Sequence, residues 1–252
     1  MKTTFKYLLA IVIIVVLWKI GSIIIGENIL PNPTKVLIYF YNSLKTKLFL
    51  THAGISILRI SVAMALAWFT AFPFGLLLGT KHLVDTIFSP IIFLTYPIPK
   101  IVLLPIFLTL FGLGESPKIL LITLTTGYQI LIATRASALN IDKKYRDSFR
   151  SIGGTPSQEL QHVIIPATLP NALVAVKISS GTATAVLFMV ESFATQSGLG
   201  FLIMDGWGRG NMLQMYTGIL AMSLLGMGLH EFFNAIERYL CRWNHLHSGL
   251  AT

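Results

Sequence analysis

Of the 252 residues, 54% are hydrophobic and only 12% charged, with a mean hydropathy of +0.73; soluble domains carry roughly 45–50% apolar residues, so the chain belongs in a bilayer. Its 19 Lys+Arg against 10 Asp+Glu would suggest nucleic acid in a soluble protein, but membrane proteins gather a basic excess in retained cytoplasmic loops. No basic run stands beside an aromatic stacking platform, which argues against nucleic acid, and the single Cys241 excludes an intrachain disulfide framework.

The chain opens with Lys2 and Lys6 ahead of an apolar run from Tyr7 to Trp18 that resumes beyond Lys19 through Ile25. No small-x-small cleavage site interrupts it, so residues 5–25 are expected to form an uncleaved first span. The following stretch, "LPNPTKVLIYFYNSLKTKLF", mixes prolines, aromatics and lysines. It fits an interfacial helix with Tyr39 and Tyr41 at headgroup depth, and equally a surface helix packed on other spans. A helix needs about 20 mostly apolar residues to cross a ~30 Å hydrocarbon layer. The chain supplies further candidates at residues 53–79, 87–112, 117–136, 172–194 and 212–236, making six spans and an all-α membrane protein. Gly75 and Gly79 in the second span form a small-xxx-small pair that lets helices approach closely.

The third span, between Asp85 and Glu115, is interrupted only by Lys100, with Pro97 and Pro99 just before it. At 1.5 Å per residue Lys100 lies roughly 20 Å deep, and a charge there marks a pathway or pairs with an opposite charge. Glu191, toward the outer end of the fifth span, is the candidate partner. After that span "QSGLGFLI" breaks the helix at Gly198 and Gly200. Orientation follows from Lys and Arg. With the N-terminus inside, eleven fall in cytoplasmic segments (2, 6, 81, 135, 143, 144, 146, 150, 177, 238, 242) and six outside (19, 35, 45, 47, 118, 209). Both termini are therefore expected in the cytoplasm, together with residues 140–170.

That last segment is polar and carefully punctuated. Lys143–Ile152 reads as a short amphipathic helix, with Tyr145, Phe149 and Ile152 on one face. Gly153-Gly154 ends it. Thr155 as N-cap, Pro156 at the first helical position and Gln158 three residues after the cap start another helix, which Pro166 and Pro170 are expected to stop. Enzyme motifs fail on spacing. "HEFFN" has Asn234 where a zinc protease needs its second His, and "GLLLGTK" lacks the spacing of a phosphate-binding loop. Cys241, His245 and His247 could gather a metal in principle, but a frayed interfacial tail is the expectation. No second domain is visible, and residues 1–252 read as one membrane domain. Two function classes stay open on these residues: a permease driven by a partner, and a stand-alone carrier or intramembrane enzyme using Lys100 and Glu191.

The spacing Asp147-Ser148-Phe149, three residues, Gly153, nine residues, Val163-Ile164-Ile165-Pro166 resembles the EAA loop of ABC-importer permeases, whose pattern is Glu-Ala-Ala, three, Gly, nine, Ile-x-Leu-Pro. Asp147 replaces Glu, while Ser148 and Phe149 replace both alanines. "ILPNPTKV", "YPIPKIVLLPIFLTLFGLGESPKILLI", "VIIPATLPNALVAVKIS", "VESFATQSGLGFLI" and "ERYLCRW" are similar to successive stretches of the nitrate, sulfonate and taurine branch. The resemblance implies a type I importer permease fold in the bacterial inner membrane. It implies a second permease copy, two cytoplasmic ATPases that bind the ATP and Mg, and an external binding protein. On this reading the chain has no cofactor, metal or catalytic residue of its own. Tyr145, Asp147, Ser148, Phe149, Ile152, Gly153, Gly154 and Pro166 become the ATPase-coupling set, Gly198 and Gly200 the outer gate, and the substrate a small anion such as nitrate, a sulfonate or taurine.

Overall fold

The computed structural model describes residues 2–193 and 195–243, all of whose regular elements are helical. In chain order these are α1 (Lys2–Ile25), α2 (Pro33–Ser43), α3 (Lys47–Thr80), α4 (His82–Thr95), a tight 3-10 turn (Lys100–Leu103), α5 (Leu104–Phe111) and α6 (Ser116–Leu139). There follow α7 (Lys143–Ser151), α8 (Pro156–Glu159), a π turn (Leu160–Ile164), α9 (Ile165–Ser192), α10 (Leu199–Gly208) and α11 (Met212–Leu240). Among the described residues five helices are long and apolar enough to cross a membrane, and α4 with the 100–111 segment makes a sixth crossing if counted as one broken span. The six-span expectation is met in that form, with ends moved: α3 starts before residue 53 and α11 runs past 236. The expected end of the fifth span at 194 lies outside the described residues.

The chain divides into two compact units, residues 1–57 with 188–224 and residues 58–187 with 225–252. In the first, α1 turns almost all its surface outward, as an apolar rod facing lipid would. Trp18 donates its indole N–H to the Pro31 carbonyl at 3.2 Å and lies against Tyr216. The turn into α2 is set by Asn32, whose side chain accepts the Thr34 N–H, followed by Pro33 at the first helical position. Val36 is buried under α2 and Tyr41 stays exposed with Lys45 over its ring, which leaves both readings of this helix standing.

In the second unit the small-residue pair does pack helices. A Cβ on Gly75 would lie 2.8 Å from Thr134 Cβ, and one on Gly79 only 2.4 Å from Ala138 Cβ. Backbone closeness of this kind is what drives association where no hydrophobic effect operates. Ion pairs tie the helices here, among them Arg59 to Glu115, Arg135 to Asp85 and Lys177 to Glu237. Arg59 is fully buried and engages Glu115 through both Nε (2.5 Å) and Nη2 (2.7 Å). A paired, bidentate arginine is the form in which such a charge is tolerated away from water.

Two expectations need correcting. Pro166 and Pro170 do not stop a helix: Pro156–Ser192 is one continuous 37-residue helix. The reason lies one turn earlier, where Ile165 N–H reaches back five residues to the Leu160 carbonyl. That extra residue per turn widens the coil just where the Pro166 ring would otherwise collide with the carbonyl four residues before it. The segment around Lys100 is not a straight span either. The chain leaves α4 at Tyr96 and re-enters helix at Lys100 with a bend of 89°, so a depth counted at constant rise does not apply to Lys100.

Candidate functional site

The polar segment folds as a helix, a bend and a helix. Asp142 caps α7, its side chain accepting the Lys144 N–H at 3.0 Å. Gly153 then takes φ +86, the left-handed region that non-glycine residues enter at a cost of ~1–2 kcal/mol. The Gly153 N–H bonds the Arg150 carbonyl and the Gly154 N–H the Phe149 carbonyl, which satisfies acceptors left open at the end of α7. Thr155 and Gln158 form the expected capping box, each side chain answering the other's backbone.

The departures from the Glu-Ala-Ala pattern have a local account. Phe149 turns inward, its ring tilted against His162 at 6.3 Å. It can do so because the next turn carries Gly154: a Cβ there would lie 2.2 Å from Phe149 Cε1. A large residue in the alanine position is thus matched by a missing side chain five residues on. Tyr145, Ser148, Phe149, Ile152 and Pro166 all line one open apolar groove of about 630 Å³, joined by Ile141, His162, Val163, Ala167 and Trp243. Of these, Ile152 (81%) and Tyr145 (61%) are the most exposed large apolar side chains, while Asp147 is exposed on α7 away from the groove lining. Below the bend, Ile164 joins a small core with Leu76 and Ala138 that also takes in Phe72, Ile141 and Ile165.

Residue patterns gave no notice of Glu159. It is buried, and its carboxylate accepts from Arg146 Nε at 2.5 Å and from Arg150 Nε at 2.8 Å. The carboxylate in turn holds the Arg150 guanidinium above its ordinary pKa. The only available signal was a lone acid in a short helix facing a basic one across a glycine bend.

Lys100 and Glu191, the candidate pathway residues, each have partners within their own unit. Lys100 Nζ donates to the carbonyls of Thr95 (2.7 Å) and Tyr96 (2.8 Å) and sits 4.2 Å from the centroid of the Tyr128 ring. It caps the open end of α4 at the break that Pro97 and Pro99 accompany, and Tyr128 O–H and Thr95 Oγ1 bond each other beside it at 2.8 Å. Cations at helix C-termini satisfy orphan carbonyls in this way.

Glu191 is fully buried, accepting from Ser56 Oγ (2.8 Å) and the Gly200 N–H (2.9 Å). Ser56 Oγ also accepts the Leu199 N–H, and His52 Nδ1 the Gly198 N–H. The two candidate gate glycines lie directly on this acid. A Cβ at Gly198 would meet Glu191 Cδ at 2.3 Å, and one at Gly200 would meet Glu191 Cβ at 2.6 Å. Gly198, at φ +110, precedes α10, but Gly200 lies inside that helix and does not break it. Cys241 is buried at the end of α11, and His245 and His247 lie outside the described residues.

Long apolar helices, one of them sharply broken, that carry a compact polar helix–bend–helix define a membrane permease. The chain belongs to the family of binding-protein-dependent transport system inner membrane components, whose pattern it matches over residues 71–243. It is 27% identical to SsuC of Bacillus subtilis, a transport permease protein named for aliphatic sulfonates, over 97% of this chain and 89% of that one. It is 28% identical to the taurine transport system permease protein TauC of Escherichia coli, over 92% and 87%. The formylaminopyrimidine transport permease protein ThiX of Halalkalibacterium halodurans is 26% identical over 96% and 98%. In fold it resembles a chain of the inward-facing MetNI methionine ABC transporter, with TM-scores of 0.64 and 0.66 in two crystal forms at 19% and 22% identity, covering 77% of this chain and 96% of that one. The chain is a permease subunit of an ABC importer, and the stand-alone carrier or intramembrane enzyme is not favoured.

Proposed function

We propose that residues 1–252 form one permease domain of the bacterial cytoplasmic membrane. Two copies enclose the substrate path, an external binding protein delivers the substrate, and two cytoplasmic ATPases drive the cycle. The ATPases bind the ATP and Mg; this chain supplies the path and the joint, with no catalytic residue or cofactor of its own. Both termini and the 143–166 segment face the cytoplasm, a reading supported by eleven basic residues on that side against six on the other. The substrate is a small anion such as a sulfonate, taurine or nitrate, supported by the names of the sulfonate and taurine relatives.

The observation that carries the coupling role is α7 with its C-cap: Tyr145 and Ile152 stand exposed beside the Gly153 bend, an apolar pair on a charge-rich helix, ready for a partner's groove. The test is Ile152→Asp in the permease co-expressed with the ATPase of its own transport system. The variant inserts normally and loses the ATPase on purification. Full retention of the ATPase would refute the docking role of α7.

A further inference from the structure

Gly153 permits the bend between α7 and α8, but a glycine holds nothing in place. The element that spans the bend is Glu159. Arg146 Nε donates to its Oε1 at 2.5 Å; Arg150 Nε donates to Oε2 at 2.8 Å and Nη2 to Oε1 at 3.3 Å. Arg146 and Arg150 are four residues apart on α7, ~6 Å along its axis. One contact would leave a pivot; two on one carboxylate oppose both tilt and roll. The other side of the joint is also fixed. The capping box sets the start of α8, and the π turn that follows Glu159 plants Ile164 in the core with Leu76 and Ala138. Exposed ion pairs contribute little, yet a buried carboxylate stripped of its partners is costly, and Glu159 is the buried member of this triad.

We infer that Glu159, clamped by Arg146 and Arg150, is a positioning residue for energy transmission, locking α7 to the continuous helix 156–192 so that the two move as one body. The inference rests on the coupling role of α7 given above. A displacement imposed on α7 then becomes a displacement of α9, whereas an unlocked bend would absorb it at Gly153.

The test uses the assembled importer in lipid vesicles and needs no knowledge of the substrate. Spin labels at exposed positions 143 and 161, neither in the coupling set, report the α7-to-helix distance. A cysteine at position 178, an exposed site on α9, reports the membrane part through its reactivity before and after trapping with ATP and vanadate. In Glu159→Gln the ATPase stays bound and still traps nucleotide, the 143–161 distance distribution broadens, and the reactivity change at 178 is lost. The double variant Arg146→Gln, Arg150→Gln gives the same result, and Ser157→Ala behaves as wild type. A distance distribution as narrow as wild type, or a full response at 178, overturns the lock. Failure of the underlying reading looks different: Ile152→Asp would then keep both the ATPase and the response at 178, whatever Glu159 does.

Discussion

A side chain at Gly153 tests the bend without any steric confusion. The residue has φ +86, and a Cβ built on it meets no heavy atom within 4 Å, so the whole cost of substitution is conformational. For alanine that cost is ~1–2 kcal/mol, and asparagine enters the left-handed region more readily. Valine, β-branched, is a genuine outlier there. If the free variant relaxes to an unbent segment and docking demands the bend, the strain reappears in the dissociation constant. One to two kcal/mol is a factor of roughly 5–30. The assay is titration of the purified ATPase onto the permease in nanodiscs, comparing Kd across the series. The expected order is glycine tightest, then asparagine, alanine and valine, with alanine weaker than glycine by about 5–30-fold. Wild-type affinity for both Gly153→Ala and Gly153→Val, or asparagine binding worse than valine, would refute the reasoning.

Gly154→Ala collides with the Phe149 ring and should lower the thermal midpoint of the purified permease, consistent with ~1–3 kcal/mol for overpacking; Phe149→Ala in the same chain should recover part of it, and no recovery would separate the two residues. Gly79→Ala should likewise destabilise through Ala138, and Ala138→Gly should recover part of the midpoint, the close approach to the Arg135 carbonyl remaining. Lys100→Met removes two hydrogen bonds from a charged donor, each worth ~1.5–3 kcal/mol, so the expected result is a lower midpoint; an unchanged midpoint would contradict its role as the cap of α4. Cysteines at 45 or 209 should react with an impermeant reagent in intact cells, and reaction at 150 would reverse the topology.

What the residues foretold, and what they did not, follows from the range of the interactions. The N-cap Thr155 with Gln158 and the turn at Gly153 depend on neighbours within a turn or on backbone freedom, and the chain shows them directly; the spacing of Gly75 and Gly79 shows that a helix packs there but not which one. Pro166 misled because proline's penalty was counted against a regular α-helix, and a π turn changes the geometry it meets; Pro170 lies inside α9 without ending it. The depth of Lys100 misled for a related reason: a count at constant rise ignores an 89° bend. Glu159 stayed hidden because its partners lie 9 and 13 residues away across a turn, and periodicity does not encode where a turn sends the next helix. The ten-residue α10 stayed hidden because it starts at Leu199, between two glycines whose pattern reads as a break. Phe149 looked like an intrusion in the motif until Gly154 was seen beneath it.

The central claim is that α7 is the surface through which an ATPase drives this permease. A photo-crosslinking amino acid placed at position 152 in growing cells tests it most directly, because Ile152 is the most exposed apolar residue beside the bend. Irradiation followed by mass spectrometry of the adduct should recover a nucleotide-binding subunit joined to the permease, and the adduct should disappear when Gly153→Val is introduced. An adduct with lipid or with an extracytoplasmic protein, and none with a nucleotide-binding subunit, would contradict the account.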